Sequence, residues 1–213
     1  MITVARDLRS DLLPVRHQGR RQCCLAFATS AAHEHLGRHA EALSVEYLYF
    51  HAVACTPGAD PDAGTTMDAA AAALSQEGQP FETEWAYQPA QLYPPAWAPP
   101  PNVGTLHRAT MSIQGAVVDG ICQALDAGCT AILGLVITDG FWVPDAAGIV
   151  PLREPDIERG GHAVLAVGHG RCEDATRLIL VRNSWGNGWG LNGHAWLPEA
   201  YLARQLHQTA MLM

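Results

Sequence analysis

The sequence predicts an α+β chain whose helices and strands are segregated along its length. Three observations predict it. Alanine-rich segments with helix-capping signals fill the stretch before residue 80, a proline-rich connector runs from Pro89 to Pro101, and short β-branched and apolar runs punctuated by glycine come after it. At 213 residues, 48% hydrophobic and 16% charged, the chain can bury a sizeable core as one compact domain or two small lobes.

The first predicted helix runs from Cys24 to about Arg38, rich in Ala, Leu and Phe, and Gly37 weakens its end. Ser44 is a good N-cap for a second helix through Val53. Gly, Pro and Asp make Cys55 to Thr65 a loop. Thr65-Thr66-Met67-Asp68 offers capping chemistry before the Ala69–Ala73 run, which Gly78 and Pro80 stop. The connector, with Pro94-Pro95 and Pro99-Pro100-Pro101, reads as an extended crossing between lobes. Beyond it, Val117–Ala127 reads as an amphipathic helix, and Thr130–Thr138, His162–Val167, Leu178–Arg182 and His194–Leu197 read as strands.

Charge and composition narrow the function classes. A net charge of −8, with no basic run beyond Arg20-Arg21, argues against nucleic-acid and anionic-membrane partners. All thirteen cations are arginine, a trait of GC-rich genomes that points to a bacterial source. No apolar stretch approaches the ~20 residues of a membrane span. The first residues lack a basic region followed by an apolar one, so the expected location is cytoplasmic. Cys23, Cys55, Cys122, Cys129 and Cys172 match no zinc template and read as reduced thiols. His35 and His39 share a helix face without a third ligand and read as solvated, so no metal or other cofactor is expected.

The chemistry concentrates in three short motifs. Gln18-Gly19 precedes Cys23-Cys24-Leu25, Gly160-Gly161-His162-Ala163-Val164 comes later, and Asn183-Ser184-Trp185-Gly186-Asn187-Gly188-Trp189-Gly190 follows. A thiol opening a helix faces unpaired backbone N–H groups and the positive end of the macrodipole, which lower its pKa. An imidazolium beside it lowers it further.

The order Gln…Cys…His…Asn resembles the papain family of cysteine peptidases, whose His and Asn lie roughly 130–150 residues after the nucleophile. Asn183 is slightly beyond that window. The resemblance implies a helical left lobe (approximately 11–104) and a β-barrel-like right lobe (1–10 and 105–213) in a single catalytic domain, with the active site in the cleft between them. It implies Cys24 as nucleophile, His162 as acid and base, Asn183 as the residue orienting His162, and Gln18 as an oxyanion donor beside the Cys24 backbone N–H. It also implies that Trp185 covers the His–Asn contact. Gly64 and Thr65, with Gly78 and Trp85-Ala86-Tyr87, are expected to form a cleft wall, and Gly64, Thr65, Gly161 and Trp185 to bind substrate. A second subsite is expected to form from Met67, Gly161 and the neighbourhood of Phe141-Trp142.

Two departures stand out. Arg21 replaces a cysteine that forms a disulfide in the family, and Leu25 replaces a tryptophan. No long inhibitory segment precedes Cys24, so the expectation is that the chain is trimmed or that a regulatory partner or the substrate gates activity. The expected function is peptide-bond hydrolysis of a peptide or protein substrate through an acyl-enzyme on Cys24. The alternatives are an acyl transferase (transpeptidase or transglutaminase-like) on the same triad, or a catalytically silent binding module.

Overall fold

The computed structural model describes residues 1–90 and 97–213, so Pro94-Pro95 of the connector lie outside the described residues. The elements in chain order are β1 (Ile2–Asp7), α1 (Cys24–Gly37), α2 (Val45–Ala54), α3 (Met67–Gln76), β2 (Met111–Gly115), α4 (Val118–Asp126), β3 (Ala131–Thr138), the one-turn α5 (Asp139–Trp142), β4 (Glu158–Cys172), β5 (Arg177–Arg182), β6 (His194–Pro198), α6 (Glu199–Gln205) and β7 (Leu206–Leu212). Helix starts follow their local signals. Ser44 Oγ accepts from Tyr47 N at 3.1 Å, and Thr66 Oγ1 accepts from Ala69 N at 3.2 Å. Arg38, in left-handed conformation, ends α1.

The strands form one antiparallel seven-stranded sheet in the order β2-β7-β3-β4-β5-β6, with β1 paired to the far half of β4. β4, at 15 residues, is much longer than the predicted His162–Val167. Its second half continues through Gly168-His169-Gly170 because β1 approaches too closely for side chains there. A Cβ on Gly168 would lie 2.5 Å from Arg6 O, and one on Gly170 would lie 2.6 Å from Thr3 O.

The sheet is buried on both faces. Ala163, Leu165, Val167, Leu178 and Leu180 pack against α1, α2 and α3, whereas Val164, Ala166, Ile179 and Val181 enter a second core with Ile121 and Leu125 of α4 and Tyr201 of α6. This period-two division explains why β4 and β5 read as continuous apolar runs. Trp97, just past the undescribed residues, stays on the helical side. Its Nε1 donates to Glu46 at 2.8 Å, and its ring packs 5.1 Å from that of Phe50. Beyond the connector the chain next enters the sheet at Met111, on β2.

Candidate active site

Cys24 is the first residue of α1, behind an N-cap, Cys23, that offers no side-chain hydrogen bond, and the first turn holds no acidic residue. The orphan N–H groups and the positive helix end are therefore left to the sulfur. His162 arrives on β4, paired opposite Leu135 of β3. Asn183 immediately follows β5, its backbone N–H bound to Gly193 O at 2.9 Å. One helix and two adjacent strands thus converge on one point.

His162 Nε2 is 2.8 Å from Asn183 Oδ1. That bond consumes one ring nitrogen and leaves Nδ1 for the Cys24 thiol, the partner whose charge and hydrogen bonding act on the imidazole. Burial alone would push the Cys24 thiol up. The His162 charge, its hydrogen bond and the backbone N–H groups of Ala163 and Leu25 outweigh it and hold the thiol below its usual range. Burial likewise would lower His162, but the facing sulfur anion and the bonds to Cys24 and Asn183 raise it. The two shifts run in opposite directions and both favour a thiolate–imidazolium pair. Cys23 beside it behaves oppositely. Fully buried, its thiol is pushed up to about 12 despite a 3.0 Å contact with Tyr87 Oη.

Gln18 is buried and its amide is oriented by two bonds. Ser184 Oγ donates to Oε1 at 2.6 Å, and Nε2 donates to Arg21 O at 2.8 Å. An amide NH₂ carries two hydrogens, so one remains for a group bound in the cleft that Gln18 lines. The Gln18 backbone is held by Ser184 O at 2.8 Å and by Tyr87 Oη at 2.5 Å. Trp185 lies over His162 with ring centroids 4.8 Å apart, on the flank of the His–Asn bond.

The cleft has two halves that meet at His162. One, of about 580 Å³, holds Cys24, Gly64, Thr65, Met67 and Gly161. The other, of about 910 Å³, holds Gln18, Gly161, Trp142 and Trp185. The structure therefore divides the expected second subsite. Met67 sits in the first half, Trp142 in the second, and Phe141 is fully buried beneath it. Trp85 packs on Tyr47 and Phe50, and Tyr87 braces the Gln18–Cys24 loop from behind, so neither forms the expected wall. His39, read as solvated, instead packs edge-on against His107 at 4.4 Å and Phe81 at 5.8 Å. No cluster of three metal-ligating side chains occurs among the described residues.

Sequence reasoning missed Ser184, which orients Gln18, and the Ala163 N–H, which faces the sulfur. Ser184 stands within a quoted motif, so its position was visible. Its partner, far upstream in sequence, was not.

Residues 3–209 match the family model described as papain family cysteine protease. The chain is 27% identical over 172 residues to an uncharacterized peptidase C1-like protein of Acanthamoeba polyphaga mimivirus, covering 74% of this chain and 53% of that one. It is 25% identical over 188 residues to a cathepsin L-like peptidase of Aedes aegypti, covering 87% and 55%. The chain thus spans about half the length of the curated relatives it matches. Among solved structures, xylellain, a cysteine protease from Xylella fastidiosa, superposes with a TM-score of 0.81 at 23% identity, covering 100% of this chain and 86% of that one. The Carica candamarcensis cysteine protease CMS1MS2, solved with E-64, gives 0.71 at 22%, covering 97% and 96%. These likenesses show the papain-like α+β fold.

Proposed function

The chain belongs to the papain family of cysteine proteases, and on that premise we propose that it hydrolyses peptide bonds through an acyl-enzyme on Cys24. The observation that carries the proposal is the His162–Asn183 bond of 2.8 Å, which aims the other imidazole nitrogen at a thiol opening a helix. The acyl part of a peptide lies along Gly64, Thr65 and Gly161, and the leaving amine lies toward Gln18 and Trp185.

The Cys24 sulfur anion attacks the scissile carbonyl carbon. The developing oxyanion takes hydrogen bonds from the Cys24 N–H and the free Gln18 Nε2 hydrogen. The imidazolium of His162 gives its Nδ1 proton to the leaving nitrogen as the C–N bond breaks. Neutral His162 then takes a proton from water as that water attacks the thioester, and the acid product departs from the restored thiolate. Asn183 accepts from Nε2–H throughout without adding a charge, which suits a histidine that rests as a cation.

The proposal takes residues 11–104 as the helical lobe and 1–10 with 105–213 as the sheet lobe of one catalytic domain. It includes a bacterial, cytoplasmic setting, supported by the all-arginine cations and six free thiols. No helix among the described residues is long and apolar enough to cross a membrane. Restraint of so open a cleft falls to a regulatory partner that occupies it.

The test is peptide cleavage by wild type and Cys24→Ala, with mass labelling by a cysteine-directed epoxide. Wild type should cleave and be labelled on Cys24, and the variant should do neither. Product partitioning toward an added amine at modest concentration would instead mark an acyl transferase. Absence of both cleavage and label would mark a silent binding module.

A further inference from the structure

We propose that Trp142 is a specificity-determining residue of this site, selecting an aromatic side chain on the residue that follows the scissile bond. The inference rests on the cysteine-peptidase reading above and on which half of the cleft holds grip for a side chain.

The leaving-group half is the larger, about 910 Å³ against about 580 Å³. Its wall is a continuous aromatic stack that begins at the reacting centre. Trp185 lies 4.8 Å from His162, and Trp142 stacks on Trp185 nearly parallel, at 4.6 Å and 14°. Phe141 packs edge-on behind Trp185 at 5.5 Å, and Trp189 fixes Phe141 by donating from Nε1 to its carbonyl at 3.0 Å. At the outer end Trp142 stays 50% exposed and Val143 65% exposed. An indole and a valine left side by side in water next to a catalytic pair form an apolar ledge with a free face.

The ledge is held rigid. Trp142 ends the single turn α5, and Asp139 at its start pairs with Arg159 at 2.5 and 3.0 Å. Asp156 accepts from Thr138 Oγ1 at 2.8 Å and from Gly140 N at 3.3 Å. A Cβ on Gly140 would come within 2.3 Å of Pro151 O, so the turn is pressed against the loop behind it. A fixed, half-exposed indole can stack on an incoming ring without first losing its own freedom. The acyl half offers less. Met67 and Leu135 there are 4% and 3% exposed, and Gly64, Gly134 and Gly161 contribute no side chain. The side chains that do reach it include half-buried Val136 and the polar, exposed His207 and Gln208, with no aromatic ring among its lining residues other than those of His207 and the catalytic His162. Selectivity is therefore concentrated after the scissile bond.

The experiment compares two peptides with the same acyl sequence, followed by Phe in one and Gly in the other, alongside a mixed peptide library read by mass spectrometry. Wild type should favour the Phe peptide in kcat/KM on the order of tenfold. The library should show Phe, Tyr and Trp enriched just after the cleaved bond. Trp142→Ala should bring the ratio close to one, and Trp142→Phe should keep most of it. A wild-type ratio near one overturns the proposal even if the alanine variant does not fold, and so does a ratio unchanged by Trp142→Ala. Iodoacetamide labelling of wild-type Cys24 at acidic pH separates the two levels. Equal cleavage of both peptides with rapid labelling overturns the selectivity alone. Absence of cleavage and of labelling overturns the peptidase reading and the selectivity with it.

Discussion

Arg21, which the family resemblance sets in the place of a disulfide cysteine, makes a noncovalent tie. Arg21 forms a buried bidentate pair with Glu46 of α2, Nη1 to Oε2 at 2.5 Å and Nη2 to Oε1 at 2.7 Å. The side chains are 4% and 0% exposed. Trp97 Nε1 adds a bond to Glu46 at 2.8 Å, Gln88 O accepts from Arg21 at 3.3 Å, and the guanidinium lies 4.9 Å from the Tyr87 ring centre. The pair joins the loop bearing Gln18 and Cys24 to α2, to Gln88 and to Trp97, a tie between distant parts of the chain made without a covalent bond.

Replacing Arg21 with Met would leave the Glu46 carboxylate in the interior with its charge unbalanced. Breaking a buried pair by removing one partner costs about 3–5 kcal/mol, mostly the penalty on the stranded charge. A whole domain is stable by only about 5–15 kcal/mol. Arg21→Met should therefore shift the urea midpoint far down. The double variant Arg21→Met/Glu46→Leu removes both charges and should recover most of the loss. All six cysteines are free thiols, so these midpoints should be the same with and without reductant. A single substitution costing less than about 1 kcal/mol, as for an exposed pair, would refute the reasoning. So would a double variant no better than the single one.

Four further outcomes follow from the site and the core. Gln18→Ala should lower kcat about 10²–10³-fold with little change in KM, since its free amide hydrogen acts on charge that develops only in the transition state. Asn183→Ala should cost a charge-assisted bond of about 1.5–3 kcal/mol, read as roughly a ten- to hundredfold fall in kcat/KM, with alkylation of Cys24 slowed as well. The rate profile should be bell-shaped, its acid limb below the ordinary thiol range because Cys24 is lowered, and its alkaline limb above 6.5 because His162 is raised. Stability should also move with pH. Burial lowers His194 to about 4, so its contribution is complete above the unfolded value of 6.5 and is lost as pH falls toward 4, about 3 kcal/mol that His194→Gln should abolish. Burial raises Glu34 from 4.5 to about 6, giving the opposite slope over that interval, about 2 kcal/mol gained on acidification that Glu34→Gln should remove, and urea titrations at several pH values read both.

What the sequence discloses depends on how far apart the deciding atoms lie along the chain. Ser44 and Thr66 cap their helices by accepting from N–H groups only three residues on, so α2 and α3 were legible. The long antiparallel pair of β4 and β5 was legible at its apolar centre only. Gly168 and Gly170 read as breakers because glycine is a turn signal locally, whereas their reason is the approach of β1 from the other end of the chain. β1 and β7 carry mixed patterns with several exposed positions, and nothing within either segment announces that a partner strand completes its hydrogen bonds. The same rule divides the candidate site. Cys24, His162, Asn183 and Gln18 each stand in a short motif, so they were legible as candidates from those motifs and from the family they resemble. The pieces that tune the site are pairs: Ser184 on Gln18, Glu46 on Arg21, Trp142 on Trp185. Each joins residues 25 or more apart, and neither member signals the other in the sequence. Reaction type in such a chain is therefore encoded locally, whereas selectivity and anchoring arise only where the folded sheet and helices bring separate segments into contact.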